Sequence, residues 1–302
     1  MKRLLKWFGI VVGVLILLLI VAVGAVYFLS SNRLHKTYDV QPVAVTIPTD
    51  EAAIEEGERL VISRGCVDCH GKNLGGGFVV DSLPTGRIVA ANLTAGQGGV
   101  GADRDDVDWV RAIRHGVGVD GKPLIFMPSH EYYSFNDDDL GKIIAYIKQV
   151  PPVDNEQPSI SPGPLFRFLF LTGELAMLAP AELIDHDAPR PAAVDIGETT
   201  EYGAYLGVGC IGCHGDNYSG GPIPGMPPDT PPAANITPDP ATGLGNWTKE
   251  DFLVAMREGK RPDGTAIDPF MPWPNFSQMT DEELGALWLY LQSLPARPHG
   301  NR

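Results

Sequence analysis

The chain has 302 residues, 37 of them acidic and 23 basic, for a formal net charge of −14. So acidic a polypeptide repels phosphate backbones, which argues against nucleic-acid binding, and its length exceeds one small domain. Gly (35) and Pro (27) supply about a fifth of the residues, above the roughly 12% of average usage, so long turns and linkers are expected around compact units.

The first element is apolar. Lys2, Arg3 and Lys6 precede an uncharged stretch from Trp7 to Leu29. As a helix, its 23 residues span about 34 Å, enough to cross a hydrocarbon core of roughly 30 Å. Trp7 at one end and Tyr27-Phe28 at the other suit the two interfaces, and the leading basic residues place the N-terminus in the cytoplasm. A cleaved signal peptide has a shorter apolar region and a small-x-small exit, so residues 1–30 read as an uncleaved anchor. Residues 31–50 then form a linker.

Beyond it the chain repeats itself. Cys66-Val67-Asp68-Cys69-His70 recurs 144 positions later as Cys210-Ile211-Gly212-Cys213-His214, and Phe126-Met127-Pro128 as Phe270-Met271-Pro272. Asn92-Leu93-Thr94 pairs with Asn235-Ile236-Thr237, and Arg114 with Arg257, at an offset of 143. The repeat defines units at 51–152 and 196–297, each near the commonest domain size.

Within each unit the pattern predicts helices. In unit one these are Ala53–Ser63, a segment with Trp109, Ala112 and Ile113 stopped by Gly116, and Asp137–Gln149 ahead of Pro151-Pro152. Phe252, Ala255, Met256 and Gly259 repeat the second, and a helix from Asp281 repeats the third. No stretch shows sustained β alternation. Residues 153–195 are Pro-rich (Pro162, Pro164, Pro180, Pro189, Pro191) and hold an apolar run from Leu165 to Leu178, broken by Arg167 and Glu174. That run is too short and too charged to span a bilayer, so it predicts a helix packed between or onto the two units, or an interfacial helix lying on the membrane. Acidic runs at Asp103, Asp105, Asp106 and Asp108 and at Asp137–Asp139 read as a solvated face or as a docking patch for a basic redox partner.

All four cysteines fall in the two C-x-x-C-H motifs, the haem-attachment pattern. Two thiols at this spacing reach two vinyl groups on one porphyrin edge, and the next residue turns its imidazole under the ring. Cys66, Cys69, Cys210 and Cys213 are thus the expected thioether attachments, with His70 and His214 as proximal iron ligands. A zinc site would need the two cysteine pairs to converge, although each has its own His and its own unit, and a thioredoxin-like dithiol would need a βαβ context. Met127 and Met271 each lie 57 residues after their histidine, between Phe and Pro. That equal spacing marks them as sixth ligands rather than core packing, and the following Pro favours an extended Met. His115 and His130 are rivals in unit one, but neither has a His twin; Met226, Met256 and Met279 lack Met twins in unit one. Ligation by His and Met closes both axial positions and favours electron transfer over catalysis or gas sensing. Arg114 and Arg257 read either as partners of haem propionates or as solvated side chains. The two Asn-x-Thr triplets read as parts of the haem pocket.

The order helix, C-x-x-C-H, long loop, Asn-Ile-Thr, short helix, Phe-Met-Pro and Tyr-bearing final helix resembles the class I cytochrome c fold, twice over. The anchored tandem is similar to cytochrome c subunits of periplasmic dehydrogenases. The resemblance implies an all-α protein with two class I cytochrome c domains behind one transmembrane helix, and two covalently bound haem c groups. It further implies a non-enzymatic electron carrier at the periplasmic face of a bacterial inner membrane, passing electrons from a donor such as a dehydrogenase to a respiratory acceptor. The alternatives are a two-haem peroxidase, which needs an open iron and an acid/base cluster, and a haem-based sensor, which needs a signalling domain.

Overall fold

A computed structural model describes residues 2–189 and 193–302. Pro191 of the Pro-rich segment lies outside the described residues. The N-terminal helix α1 (Lys2–Leu34) is exposed along its apolar run apart from the half-buried Val26, and is buried at Ser30 and Leu34, where it meets the globular part.

Each unit is built on a crossed pair of helices. In the first, α2 (Glu51–Ser63) leads into a single turn, α3 (Cys66–His70), and crosses α6 (Asp137–Gln149). In the second, α8 (Thr200–Gly207) and a 3-10 turn (Val208–Cys210) lead into α9 (Ile211–His214), and α8 crosses α12 (Asp281–Ser293). Glycine makes each crossing close: a Cβ on Gly57 would run into the Lys142 carbonyl, and one on Gly203 into the Ala286 carbonyl. Between the crossed helices lie α4 (Asp106–His115) and the short α5 (Ser129–Tyr132), repeated as α10 (Lys249–Glu258) and α11 (Trp273–Phe276).

Capping explains where these helices begin. Asp105 and Asp108 form a reciprocal capping box on α4, as do Thr248 and Asp251 on α10 and Thr280 and Glu283 on α12; Asn136 caps α6. The acidic runs are therefore largely engaged. Asp106 pairs with Lys148, Asp108 with Arg111 at 2.5 Å and Asp137 with Arg114 at 3.0 Å, while Asp139 is buried. Apolar faces of the helices close two cores, one around Leu60, Val61, Trp109 and Ile143, the other around Leu206, Phe252, Leu284 and Leu287.

One feature departs from the sequence reading. A hairpin of β1 (Gly77–Ser82) and β2 (Gly86–Ala90) pairs antiparallel from Gly77–Ala90 to Ser82–Gly86, and β3 (Ser161–Pro162) adds to β2. Its apolar residues come as runs of three, Phe78-Val79-Val80 and Ile88-Val89-Ala90, so no alternation shows. Ile88 is buried in a third cluster with Phe166, Phe170 and Leu178, and that tertiary burial selects the strands. Unit two has no strand among the described residues.

The apolar run of the middle segment forms α7 (Pro164–Thr172), followed by 3-10 turns at Ala176–Leu178 and Pro180–Leu183. It packs onto the end of α1 and onto β2, not between the two units.

Candidate haem-binding sites

The two C-x-x-C-H turns end alike. After His70 and His214 the chain reverses through Gly71 (φ 75°, ψ 162°) and Gly215 (φ 80°, ψ 164°), a region almost closed to residues with a Cβ. The carbonyl of each His then accepts a 2.9 Å bond, from Gly76 N and Gly220 N respectively. Each imidazole is fixed through Nδ1, which lies 2.8 Å from the Ala91 carbonyl in His70 and 2.7 Å from the Ala234 carbonyl in His214. A carbonyl only accepts, so Nδ1 carries the proton and Nε2 keeps its lone pair. Burial lowers both histidine pKa values, the carbonyl bonds opposing it, and keeps the rings neutral.

Each turn borders a cavity. Counting open mouths, the two enclose about 1060 and 1140 Å³. The first brings together Cys66, Cys69, His70 and Met127. His214 and Met271 line the second, with Cys210 packed beside that unit's core. Burial pushes the Cys66 and Cys210 thiols up to about 12. The methionine loops are twins as well: Ser129 N and Trp273 N each bond the Met carbonyl at 2.7 Å, and Pro128 and Pro272 share φ and ψ near −76° and 50°.

The rivals are placed differently. His115 turns its Nδ1 to within 3.1 Å of His186 Nδ1, and His130 sits on α5; neither lines the first cavity. Met279 is core and Met226 is exposed. Met256 does line the second cavity, in the place Ile113 takes in the first.

The lining fits a flat apolar group with acidic edges. The first cavity is walled by Val89, Leu93, Ile113, Ile143 and Phe135, and it also contains Arg104 and Trp109. Arg104 Nη1 and Trp109 Nε1 are buried donors without an acceptor among the described residues. Unpaired buried donors are costly, and a carboxylate on a bound ring would satisfy both. Arg114 and Arg257, which the sequence suggests either for that task or as solvated side chains, are engaged elsewhere. Arg114 is buried and donates to Phe135 O at 2.8 Å and Asp137 Oδ1 at 3.0 Å, while Arg257 bonds Ser277 O and Asp281. Arg114 ties α4 to the start of α6, and Arg257 ties α10 to the start of α12. The Asn-x-Thr triplets also brace their units. Asn92 and Thr94 bond each other at 2.8 Å and hold Val153 O, and Asn235 and Thr237 do the same with Arg297 O.

A further group of residues escaped the sequence reading because their partners lie in the other unit. Asp68, inside the first motif, accepts from Asn275 Nδ2 at 2.5 Å, and Gly212, its counterpart in the second motif, lies against the Glu131 carboxylate. Positions 131 and 275 are themselves 144 apart. Asp139 and Glu283 are another such pair. Arg59 grips Glu283 at 2.6 and 3.1 Å, and Tyr205 OH donates to Asp139 Oδ2 at 2.5 Å. Between them Arg64 lies 3.7 Å from Asp139 and 3.9 Å from Glu283, over the rings of Phe135 and Tyr205. Burial raises Glu283, but Arg59 outweighs it and holds this carboxyl below its usual range. The units thus face each other about a pseudo-twofold, each attachment turn touching the helix that follows the other's methionine.

Comparison with known proteins agrees with this architecture. The family model "Cytochrome c" matches residues 202–295, and "Cytochrome C oxidase, cbb3-type, subunit III" matches residues 52–147. Each globular unit is a cytochrome c domain, and together they bind two covalently attached haem c groups. It is 32% identical over 277 residues to the fructose dehydrogenase cytochrome subunit of Gluconobacter japonicus, which covers 83% of this chain and 55% of that one. It is 43% identical over 85 residues to the alcohol dehydrogenase (quinone), cytochrome c subunit, of Gluconobacter oxydans, covering 27% and 18%. A diheme cytochrome c-type protein of Cereibacter sphaeroides is 33% identical over 61 residues, covering 20% and 21%. The chain therefore spans no more than about half the length of these relatives.

Proposed function

We propose that this chain is a membrane-anchored relay that takes electrons from a dehydrogenase on the periplasmic face of the inner membrane and delivers them to a respiratory acceptor. It would serve as the cytochrome subunit of such a complex and not as its catalytic part. Relatives named as dehydrogenase cytochrome subunits support this reading, as does the length of α1.

In this reading Cys66 and Cys69, then Cys210 and Cys213, hold the two rings. His70 with Met127 and His214 with Met271 supply the axial ligands. Haem bound in this way supplies one-electron chemistry at iron. The chain's own residues do the rest. The Ala91 and Ala234 carbonyls fix each imidazole so that Nε2 faces the cavity, and hydrogen bonding at the other nitrogen raises its basicity as a ligand. Apolar walls exclude water, and Arg104 and Trp109 offer donors to a propionate. The Arg59, Arg64, Asp139, Tyr205 and Glu283 network joins the two units beside the attachment turns, and so would fix how far apart the two bound groups are held.

The observation that carries the proposal is the repetition of one site twice, His and Met lining the same cavity, with each attachment turn against the helix that follows the other's methionine. Spectra of the reduced protein with and without carbon monoxide test it. Two sulfur-closed irons leave both spectra unchanged; rapid binding at either iron contradicts the relay and favours an enzyme or sensor. Copurification of a dehydrogenase from detergent-solubilised membranes tests the partner.

A further inference from the structure

The face of α7 turned away from the protein is apolar although it belongs to a loop-rich linker. Phe166 and Phe170 point inward and are buried with Leu34 of α1, whereas Leu165 and Phe168, one turn apart, are 38% and 52% exposed. The one ionic side chain of α7, Arg167, is turned inward as well. Its guanidinium lies 4.7 Å over the Tyr27 ring and donates to Ser30 Oγ at 2.9 Å and Ser31 Oγ at 3.0 Å. From the other side Arg33 stacks 3.9 Å over Phe170 and donates to its carbonyl at 3.3 Å and to Glu182 at 2.5 Å. These contacts clamp α7 to α1 between Tyr27 and Leu34.

The clamp sets a depth. Twenty helical steps separate Trp7 from Tyr27, about 30 Å at 1.5 Å each, the thickness of a hydrocarbon core. With Trp7 at one interface Tyr27 lies at the other, and everything clamped between Tyr27 and Leu34 lies within about 10 Å beyond it, in the headgroup layer. There Leu165 and Phe168 are exposed, as are Phe28 and Leu29 of α1. A helix burying one apolar stripe about 5–10 Å into the headgroup boundary is a stable arrangement.

We propose that α7 is an interfacial foot, its Leu165–Phe168 face seated in the lipid headgroup boundary beside α1, fixing the height and tilt of the first cytochrome domain above the membrane. The inference rests on the reading of α1 as a membrane span, and the test separates the two. Single cysteines replace Leu19, Phe168 or Val254 in the full haem-loaded chain, are spin-labelled, and are reconstituted in nanodiscs of phosphatidylcholine with phosphatidylglycerol. Collisional relaxation by oxygen, which partitions into lipid, is compared with that by a water-soluble nickel chelate. Labels at L19C and F168C are expected to favour oxygen, and the label at V254C, on the exposed face of α10, to favour nickel. If F168C behaves like V254C while L19C favours oxygen, the foot is refuted and the anchor stands. If L19C also favours nickel, the anchor falls and the foot with it. A protein partner in place of lipid would leave F168C nickel-accessible in these discs and so also refutes the proposal.

Discussion

At the scale of single residues, each histidine proposed as an axial ligand is held by one bond. Nδ1 faces a backbone carbonyl, so Nε2 is committed to a ligand, and the sulfur wall is set by a Pro-locked turn. Replacing Met127 or Met271 with Leu should lower the potential of one haem and leave its covalent attachment intact, because thioether ligation raises the potential. A redox titration combined with mass measurement checks both halves. Unchanged potentials would contradict the ligand assignment and, for Met271, direct attention to Met256. Arg104→Gln should lower only the first haem's potential, since a lost positive charge stabilises the oxidised iron relative to the reduced one. The motif and its spacing single out the Cys, His and Met proposed to hold the groups. Arg104 and Trp109 were not legible, because repetition exposes what both units need in order to fold. It pointed to Arg114 and Arg257, which brace helices, while Arg104 has Trp247 at its counterpart position.

The His115–His186 contact is a residue-scale device for pH. Burial, then the neighbouring His186, pushes His115 down to about 4, below its ordinary 6.5. An unfolded chain therefore takes up a proton between those values that the folded chain refuses. Stability is full above pH 6.5 and falls as pH drops toward 4, by at most about 3 kcal/mol. Denaturant melts at pH 7 and pH 4.5 should show this loss, and His115→Leu should flatten it; an equal pH slope in the variant would contradict the account.

At the scale of elements, the helices were readable because caps, apolar spacing and terminal glycines agreed with one another. The hairpin was not, because its stability comes from Ile88 meeting α7, a contact distant in sequence. The crossings rest on glycine. Gly57→Ala and Gly203→Ala each push a methyl group against a backbone carbonyl of the partner helix, and each should cost about 1–3 kcal/mol. Gly9→Ala on the open face of α1 meets nothing and should leave stability unchanged. Chemical denaturation of the detergent-solubilised full chain makes the comparison for all three variants.

At the scale of the whole molecule, two copies of one domain meet so that each attachment turn touches the other's post-methionine helix. Arg59→Gln would leave buried Glu283 without its nearer cation, with only Arg64 at 3.9 Å, at a cost of up to about 3–5 kcal/mol to the interdomain contact. It should slow electron exchange between the haems several-fold while shifting neither potential greatly, as read by flash-initiated reduction. An unchanged rate would mean that the network does not set the separation of the rings.

The most direct check on the whole account is the mass of the mature protein, taken intact and again with Cys66 and Cys69, or Cys210 and Cys213, changed to Ala. Two covalently added haem groups are expected in the parent and one in each variant. A parent carrying fewer than two, or a variant that retains both, would contradict the two-site architecture from which every other inference descends.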